Sequence, residues 1–215
     1  VLSLRAVRNA RPPRGKRIEV RILKMQMEVR FAGFGGQGIL LAGKLYAEAA
    51  MEEGKQVAWI PSYGPEMRGG TAYCTVVIAD HLIGSPIVNF PGHLVVMNRP
   101  SLEKFAPDTR PGGICLVNSS LIPITSGRDD LIEVLVPCNH IANEYGNPRG
   151  ANMVVLGAFT ALSKLIAIET VESIVRHEFA AKPKLIEGNV ALVHLGAKAA
   201  VDPKARVMQA AEVAV

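Results

Sequence analysis

"EVRFAGFGGQGILLAGK", residues 28–44, passes from an apolar run into a glycine turn and then into a helical pattern. Residues 28–33 predict a buried strand, and Gly33, Gly35 and Gly38 supply the G-x-G-x-x-G spacing of a dinucleotide-binding turn. In such a turn the first glycine permits the sharp reversal and the second lets the backbone approach a phosphate. The third lets helix and strand pack closely, and the helix N-terminus adds a favourable dipole. Gly36 adds backbone freedom, and Gln37 brings an amide that can donate and accept at the start of a helix over about 37–53.

Working outward, Lys44, Glu48 and Glu52 recur every four residues as one solvated stripe, and Gly54 is a natural C-terminal stop. "QVAWI", residues 56–60, reads as a second strand that completes a β-α-β unit. "PSYGPEMRGG", 61–70, holds two prolines and three glycines and reads as a loop. Strands are expected at 72–79, 93–98, 112–120 and 133–138, the last of them, with a turn and a short edge segment after residue 80. From 140 to 200 the pattern is helical, broken at Asn147-Pro148 and Lys182-Pro183. "ANMVVLGAFTALSKLI" is apolar on most faces, so that helix packs inside its own sheet or against a partner. The amide of Asn152 within it needs a buried partner, either a helix cap or a subunit contact.

The expected fold is α/β: a single, Rossmann-like domain with a mostly parallel sheet flanked by helices. Its ligands would lie beyond the carboxyl ends of the strands, where the 33–38 turn and the 61–70 loop both begin and should meet.

Composition narrows the function. Apolar residues make up 49% of the 215 and aromatics 5%, which suits buried parallel strands under Ala-rich helices. No apolar run reaches the ~18 residues of a membrane span, so a soluble protein without membrane association is expected. The net charge of +5 is concentrated in residues 1–26, which carry eight bases against Glu19. Residues 27–215 are slightly acidic, so the body gives no nucleic-acid signal. The expected division is a basic, unstructured extension over 1–26, a domain over 27–203 and a tail over 204–215. An Arg-rich arm of this kind also suits binding to nucleic acid or anionic lipid, or a transit peptide.

Cys74, Cys115 and Cys138 are far apart and form no C-x-x-C pair. They are too few for an Fe–S cluster and lack the spacing of a zinc site; they read as core thiols in a reducing, cytoplasmic setting. His140 and Glu144 are one helical turn apart, a spacing more often found in a solvated pair than in a metal site. There is no H-E-x-x-H and no G-x-S-x-G, so no catalytic set stands on this chain alone and no metal site is expected.

A nicotinamide site also needs an acid at the end of the second strand, where this chain has Pro61 and Ser62. Three readings of the turn stay open: an NAD(P) site, a tight turn with no ligand, and a site for another phosphate-bearing group. Glu66 and Arg68 lie two residues apart in the adjoining loop, each free to reach a separate partner. Arg68 could grip a phosphate or carboxylate in bidentate fashion.

"VRFAGFGGQGILLAGKLYAEAA" (29–50), "SYGPEMRGGTAYCTVVIAD" (62–80) and "GNPRGANMVVLGA" (146–158) together resemble the gamma subunit of 2-oxoacid:ferredoxin oxidoreductases, over about residues 27–180. The "PSYGPEMRGG" form looks most like the 2-oxoglutarate (2-ketoglutarate) type. The resemblance implies one subunit of an assembly that decarboxylates a 2-oxoacid oxidatively onto coenzyme A and reduces ferredoxin. Thiamine diphosphate, Mg and Fe–S clusters would lie on alpha and beta partners, with a ferredoxin-like delta subunit as a further candidate member. This chain would bind none of them alone. It would help enclose the active-site and coenzyme A region through Gly33, Gly35, Gly36, Gln37, Gly38, Tyr63, Glu66, Arg68, Gly69 and Gly70. A stand-alone NAD(P) oxidoreductase and a ligand-free scaffold subunit are the alternatives.

Overall fold

Gln26–Phe34 forms strand β1, whose side chains alternate between two buried layers: Val29 and Phe31 enter one, Ala32 the other. The structure, a computed structural model, describes residues 25–62, 71–202 and 206–207. After β1 come α1 (Ile39–Glu52), β2 (Gln56–Ser62), β3 (Thr71–Ala79), β4 (His93–Val96), α2 (Arg99–Phe105), β5 (Ile114–Asn118) and β6 (Ile132–Val136). Then follow α3 (Cys138–Glu144), α4 (Ala151–Ser163), α5 (Ile168–Glu178), α6 (Ile186–Val201) and a two-residue β7 (Arg206–Val207). Short 3-10 turns at Pro148–Gly150 and Pro183–Leu185 lead into α4 and α6, at the two expected proline breaks.

The sheet order is β2-β3-β1-β4-β5-β6-β7. β1, β4, β5 and β6 pair in parallel, while β3 runs antiparallel between β1 and β2. The α/β, mostly parallel, helix-flanked fold is thus as the sequence indicates, with four corrections. The unit 28–60 is not a simple β-α-β, because β3 inserts between its two strands. Pro61 and Ser62 belong to β2 rather than to the loop; Pro61 is tolerated because β2 is an edge strand. Residues 80–92 form no edge strand, and 132–136 is not the last strand, since β7 pairs antiparallel with β6. The helix α2 was not anticipated: Asn98 caps it by accepting the Ser101 N–H at 2.8 Å, and Pro100 occupies its first turn.

One face of the sheet carries α1 and α3–α6, the other α2 and the connections around it. Under α1 and α4, Phe31, Tyr46 and Phe159 meet with ring centroids 5.2 to 5.9 Å apart, tilted or edge to face. Such pairs contribute roughly 0.5–1.5 kcal/mol each beyond burial. The Tyr46 hydroxyl is satisfied by Ser163 Oγ at 2.8 Å. On the opposite face the Arg30 guanidinium lies 5.3 Å and 5.0 Å from the Tyr73 and Phe105 ring centroids. Its Nη2 donates to the Val88 carbonyl, fastening the 80–92 connection to β1.

The apolar helix α4 is covered by its own chain. Every residue from 151 to 160 is buried, and α4 crosses α6 backbone to backbone at Gly157 and Gly196. A β-carbon on Gly157 would overlap the Val193 carbonyl, and one on Gly196 that of Val154. α1 is pinned to α5 from both ends: Lys44 Nζ reaches Glu178 at 2.8 Å, and Glu53 accepts from the Ala167 N–H and Thr170 Oγ1. The helix layer therefore holds the start of α1 rigidly at the carboxyl end of β1.

Candidate functional site

The turn after β1 is built from backbone and amides. The Gln37 N–H closes it on the Phe34 carbonyl at 3.2 Å. Gly36 (φ +91°) and Gly38 (φ +70°) take left-handed conformations that a side chain would strain, so α1 begins at Ile39 and not at 37. Among the described residues no side chain caps α1, and no acid sits in its first turn. Helix geometry leaves the N–H groups of Ile39, Leu40 and Leu41 without intrahelical acceptors, at the positive end of the dipole. Ile39 and Leu40 border a hollow of about 240 Å³ that is also lined by Phe34, Gly35, Gly36, Gly38 and Ala72.

Gln37 itself faces inward. Its Oε1 accepts from the Phe34 N–H (2.6 Å) and from Asn98 Nδ2 (3.4 Å), and its Nε2 donates to the Met97 carbonyl (3.2 Å). The amide expected beside a cofactor edge also shapes the turn. It folds back over Gly33, where a β-carbon would lie 2.7 Å from Gln37 Oε1. Asn152 has found its partner as well: Nδ2 donates to the Gly38 carbonyl at 3.3 Å. The subunit-contact alternative for that amide is therefore not needed to satisfy it.

Tyr63, Glu66, Arg68, Gly69 and Gly70 lie outside the described residues. The segment that carries them leaves the sheet at Ser62, whose register partner is Tyr73. It re-enters at Thr71, opposite Phe34, one residue before the hollow-lining Ala72. Its roots thus abut the glycine turn.

The topology weighs against a nicotinamide site. An NAD enzyme keeps its ribose-binding acid on the strand beside the glycine turn. Here that neighbour is the antiparallel β3, and Pro61 and Ser62 stand one strand further out.

The cysteines are core residues. Burial raises the Cys74 thiol to about 12 and pushes Cys115 and Cys138 up as well. They occupy β3, β5 and the first position of α3, and such protonated core thiols do not fit as cluster ligands. His140 and Glu144 form an exposed pair at 3.3 Å. Among the described residues no three His, Cys, Asp or Glu side chains group as metal ligands, and no helix is long and apolar enough to cross a membrane.

Asn98 is the site-shaping residue that sequence reasoning missed. Its signal was an Asn-Arg-Pro sequence after an apolar strand, the pattern of an N-cap followed by proline in the first turn.

Comparison with known proteins agrees with this architecture. The ketoisovalerate oxidoreductase subunit VorA of Methanothermobacter marburgensis is 42% identical over 173 residues, which is 80% of this chain and 36% of VorA. This chain therefore spans little more than a third of that relative. The 2-oxoglutarate synthase subunit KorC of Methanocaldococcus jannaschii is 38% identical over 155 residues, 71% of this chain and 83% of KorC. The gamma subunit of a keto/oxoacid ferredoxin oxidoreductase from Geobacter sulfurreducens superposes with a TM-score of 0.70 at 32% identity, covering 81% of this chain and 98% of that one. The family model for pyruvate ferredoxin/flavodoxin oxidoreductase matches residues 28–199. With that match running from β1 into the last turns of α6, the chain belongs to the pyruvate ferredoxin/flavodoxin oxidoreductase family.

Proposed function

We propose that this chain is the gamma component of a multi-subunit 2-oxoacid:ferredoxin oxidoreductase, which oxidatively decarboxylates a 2-oxoacid to its acyl-CoA and passes the electrons to ferredoxin. Thiamine diphosphate, Mg and Fe–S clusters belong to alpha and beta partners, and the donor set of this chain, three buried thiols, agrees with that division. The carrying observation is the uncapped start of α1. A hollow of about 240 Å³ opens among glycine backbone and free N–H groups, beside the roots of the segment that holds Arg68. Those groups suit a phosphate or amide of coenzyme A. Gly35, Gly36, Gly38, Glu66, Arg68, Gly69 and Gly70 would contribute to this wall, with Tyr63 beside them. When bound, coenzyme A supplies the thiol that accepts the acyl group. This chain's part is to hold it and to keep water away.

The substrate proposed from the "PSYGPEMRGG" form is 2-oxoglutarate. A branched-chain 2-oxoacid is the second reading, supported by the 42% identity to a ketoisovalerate oxidoreductase subunit. The three unpaired cysteines suit a reducing, cytoplasmic setting.

The test is anaerobic co-purification from the source, followed by kinetics of the assembled enzyme on a panel of 2-oxoacids. Arg68→Ala should raise KM for coenzyme A roughly ten- to hundredfold with assembly intact, the loss expected for a charge-assisted contact. Gly36→Asp puts a carboxylate at the rim of the hollow and should weaken coenzyme A binding more than Gly36→Asn, which shares its backbone strain. Unchanged kinetics in both would make the chain a scaffold, and nicotinamide binding by the isolated chain would restore the dinucleotide reading.

A further inference from the structure

Asn152 is a poor choice for packing alone. It sits among apolar residues on a buried helix, where an unpartnered amide would cost about 1–3 kcal/mol and an aliphatic side chain nothing. Among the described residues its side chain donates to the carbonyl of Gly38, the last residue of the glycine turn. That carbonyl also accepts the first intrahelical bond of α1, from the Ala42 N–H at 3.0 Å, so both its lone pairs are used. The contact is tight, since a β-carbon on Gly38 would stand 2.6 Å from Asn152 Nδ2.

A second amide acts on the turn from the other face of the sheet. Asn98, buried after β4, caps α2 with Oδ1 and donates through Nδ2 to Gln37 Oε1. Because Gln37 Oε1 receives two donors while its Nε2 faces the Met97 carbonyl, only one orientation of that amide satisfies every bond. The turn is therefore gripped at Phe34 and Gly38, by side chains answering to α2 on one side of the sheet and α4 on the other.

We propose that Asn152 and Asn98 are positioning residues for coenzyme A binding, acting through Gly38 and Gln37 to hold the turn open beside the α1 N-terminus; this rests on the coenzyme A reading above. Neither residue touches the hollow. Their effect is on how often the turn presents its N–H groups in the binding shape, which enters the apparent affinity directly.

The experiment uses the assembled, cofactor-loaded complex. Asn152→Asp keeps the side-chain size and removes the donor. Asn98→Asp keeps the acceptor that caps α2 and removes the donor to Gln37. Met153→Ala, one residue along α4 and fully buried, gives a core lesion as the control. Coenzyme A affinity is measured by calorimetry without 2-oxoacid, and amide exchange is followed over residues 34–41. Each Asp variant should weaken coenzyme A binding about fivefold or more, the worth of one hydrogen bond. Exchange at 34–41 should quicken, with kcat and KM for the 2-oxoacid within about twofold of the parent. Met153→Ala should lower the thermal midpoint and leave coenzyme A affinity alone. Asp variants that track Met153→Ala in every readout would overturn this inference while a weakened Gly36→Asp upheld the site. Unimpaired binding in Gly36→Asp would remove the site itself.

Discussion

Asn152 on α4 donates to the carbonyl of Gly38 at 3.3 Å, joining the most buried helix to the residue that precedes α1 across 114 positions of sequence. Gly38 has φ +70° and no room for a β-carbon; Gly54, at the other end of α1, has φ +75° and open space around it. The pair separates backbone strain from crowding. Gly54→Ala should cost about 1–2 kcal/mol, the left-handed penalty alone. Gly38→Ala should cost that plus the displacement of Asn152, roughly 1–3 kcal/mol more. Urea denaturation of both variants checks this, and equal losses would show that Asn152 yields without cost.

The crossing of α4 and α6 sets a second expectation. Gly157 faces the Val193 carbonyl and Gly196 faces that of Val154, so an alanine at either position collides with backbone, which cannot rotate aside. Each substitution should destabilise the chain by about 1–3 kcal/mol or more. Because one separation of the helices relieves both clashes, the double variant should lose clearly less than the sum. Additive losses in a double-mutant cycle would mean that the two contacts yield independently.

The three thiols make a prediction that needs no mutation. Cys74, Cys115 and Cys138 are buried and their thiols are held protonated by desolvation. At mildly alkaline pH a thiol reagent such as Ellman's should find none of them in the folded chain. It should find all three in denaturant, in a single kinetic phase. Rapid native labelling of one equivalent would place a cysteine at the surface.

What could be read from the sequence was what depends on near neighbours. The run from Glu28 into Gly33, Gly35 and Gly38 specified a strand, a turn and a following helix, though the helix starts at Ile39 rather than 37, because backbone freedom and apolar period are local properties. The burial of 151–160 was legible for the same reason, and Gly54 stopped α1 as its pattern indicated. The insertion of β3 between β1 and β2 was not legible. Residues 72–79 alternate and bury identically whether they pair with one strand or two, and nothing local in them chooses the partner. Helix α2 escaped because its seven residues give too short a period to register; its capping residue carried the only signal. At the site, Gln37 was recognised as an amide in a sensitive place. The direction it faces was decided by Met97 and Asn98, about sixty residues away.

His93 gives the pH dependence that this packing implies. Its ring is half-buried at the start of β4, 6.0 Å from the Phe159 centroid, and Nδ1 accepts the Ile114 N–H of β5 at 3.0 Å. An accepting Nδ1 carries no proton, and burial lowers the pKa of the imidazole from its ordinary 6.5. A base whose folded pKa lies below its unfolded value binds fewer protons when folded, so stability increases with pH between the two values. The His93 contribution is therefore complete above about pH 6.5 and is lost as the pH falls from there through the folded pKa. His93→Gln keeps an acceptor of similar reach and does not titrate. Between about pH 7 and pH 5 the unfolding free energy of the parent should fall more steeply than that of His93→Gln, the other groups being common to both. Parallel curves would place the acid-labile contacts of this fold elsewhere than at the junction of β4 and β5.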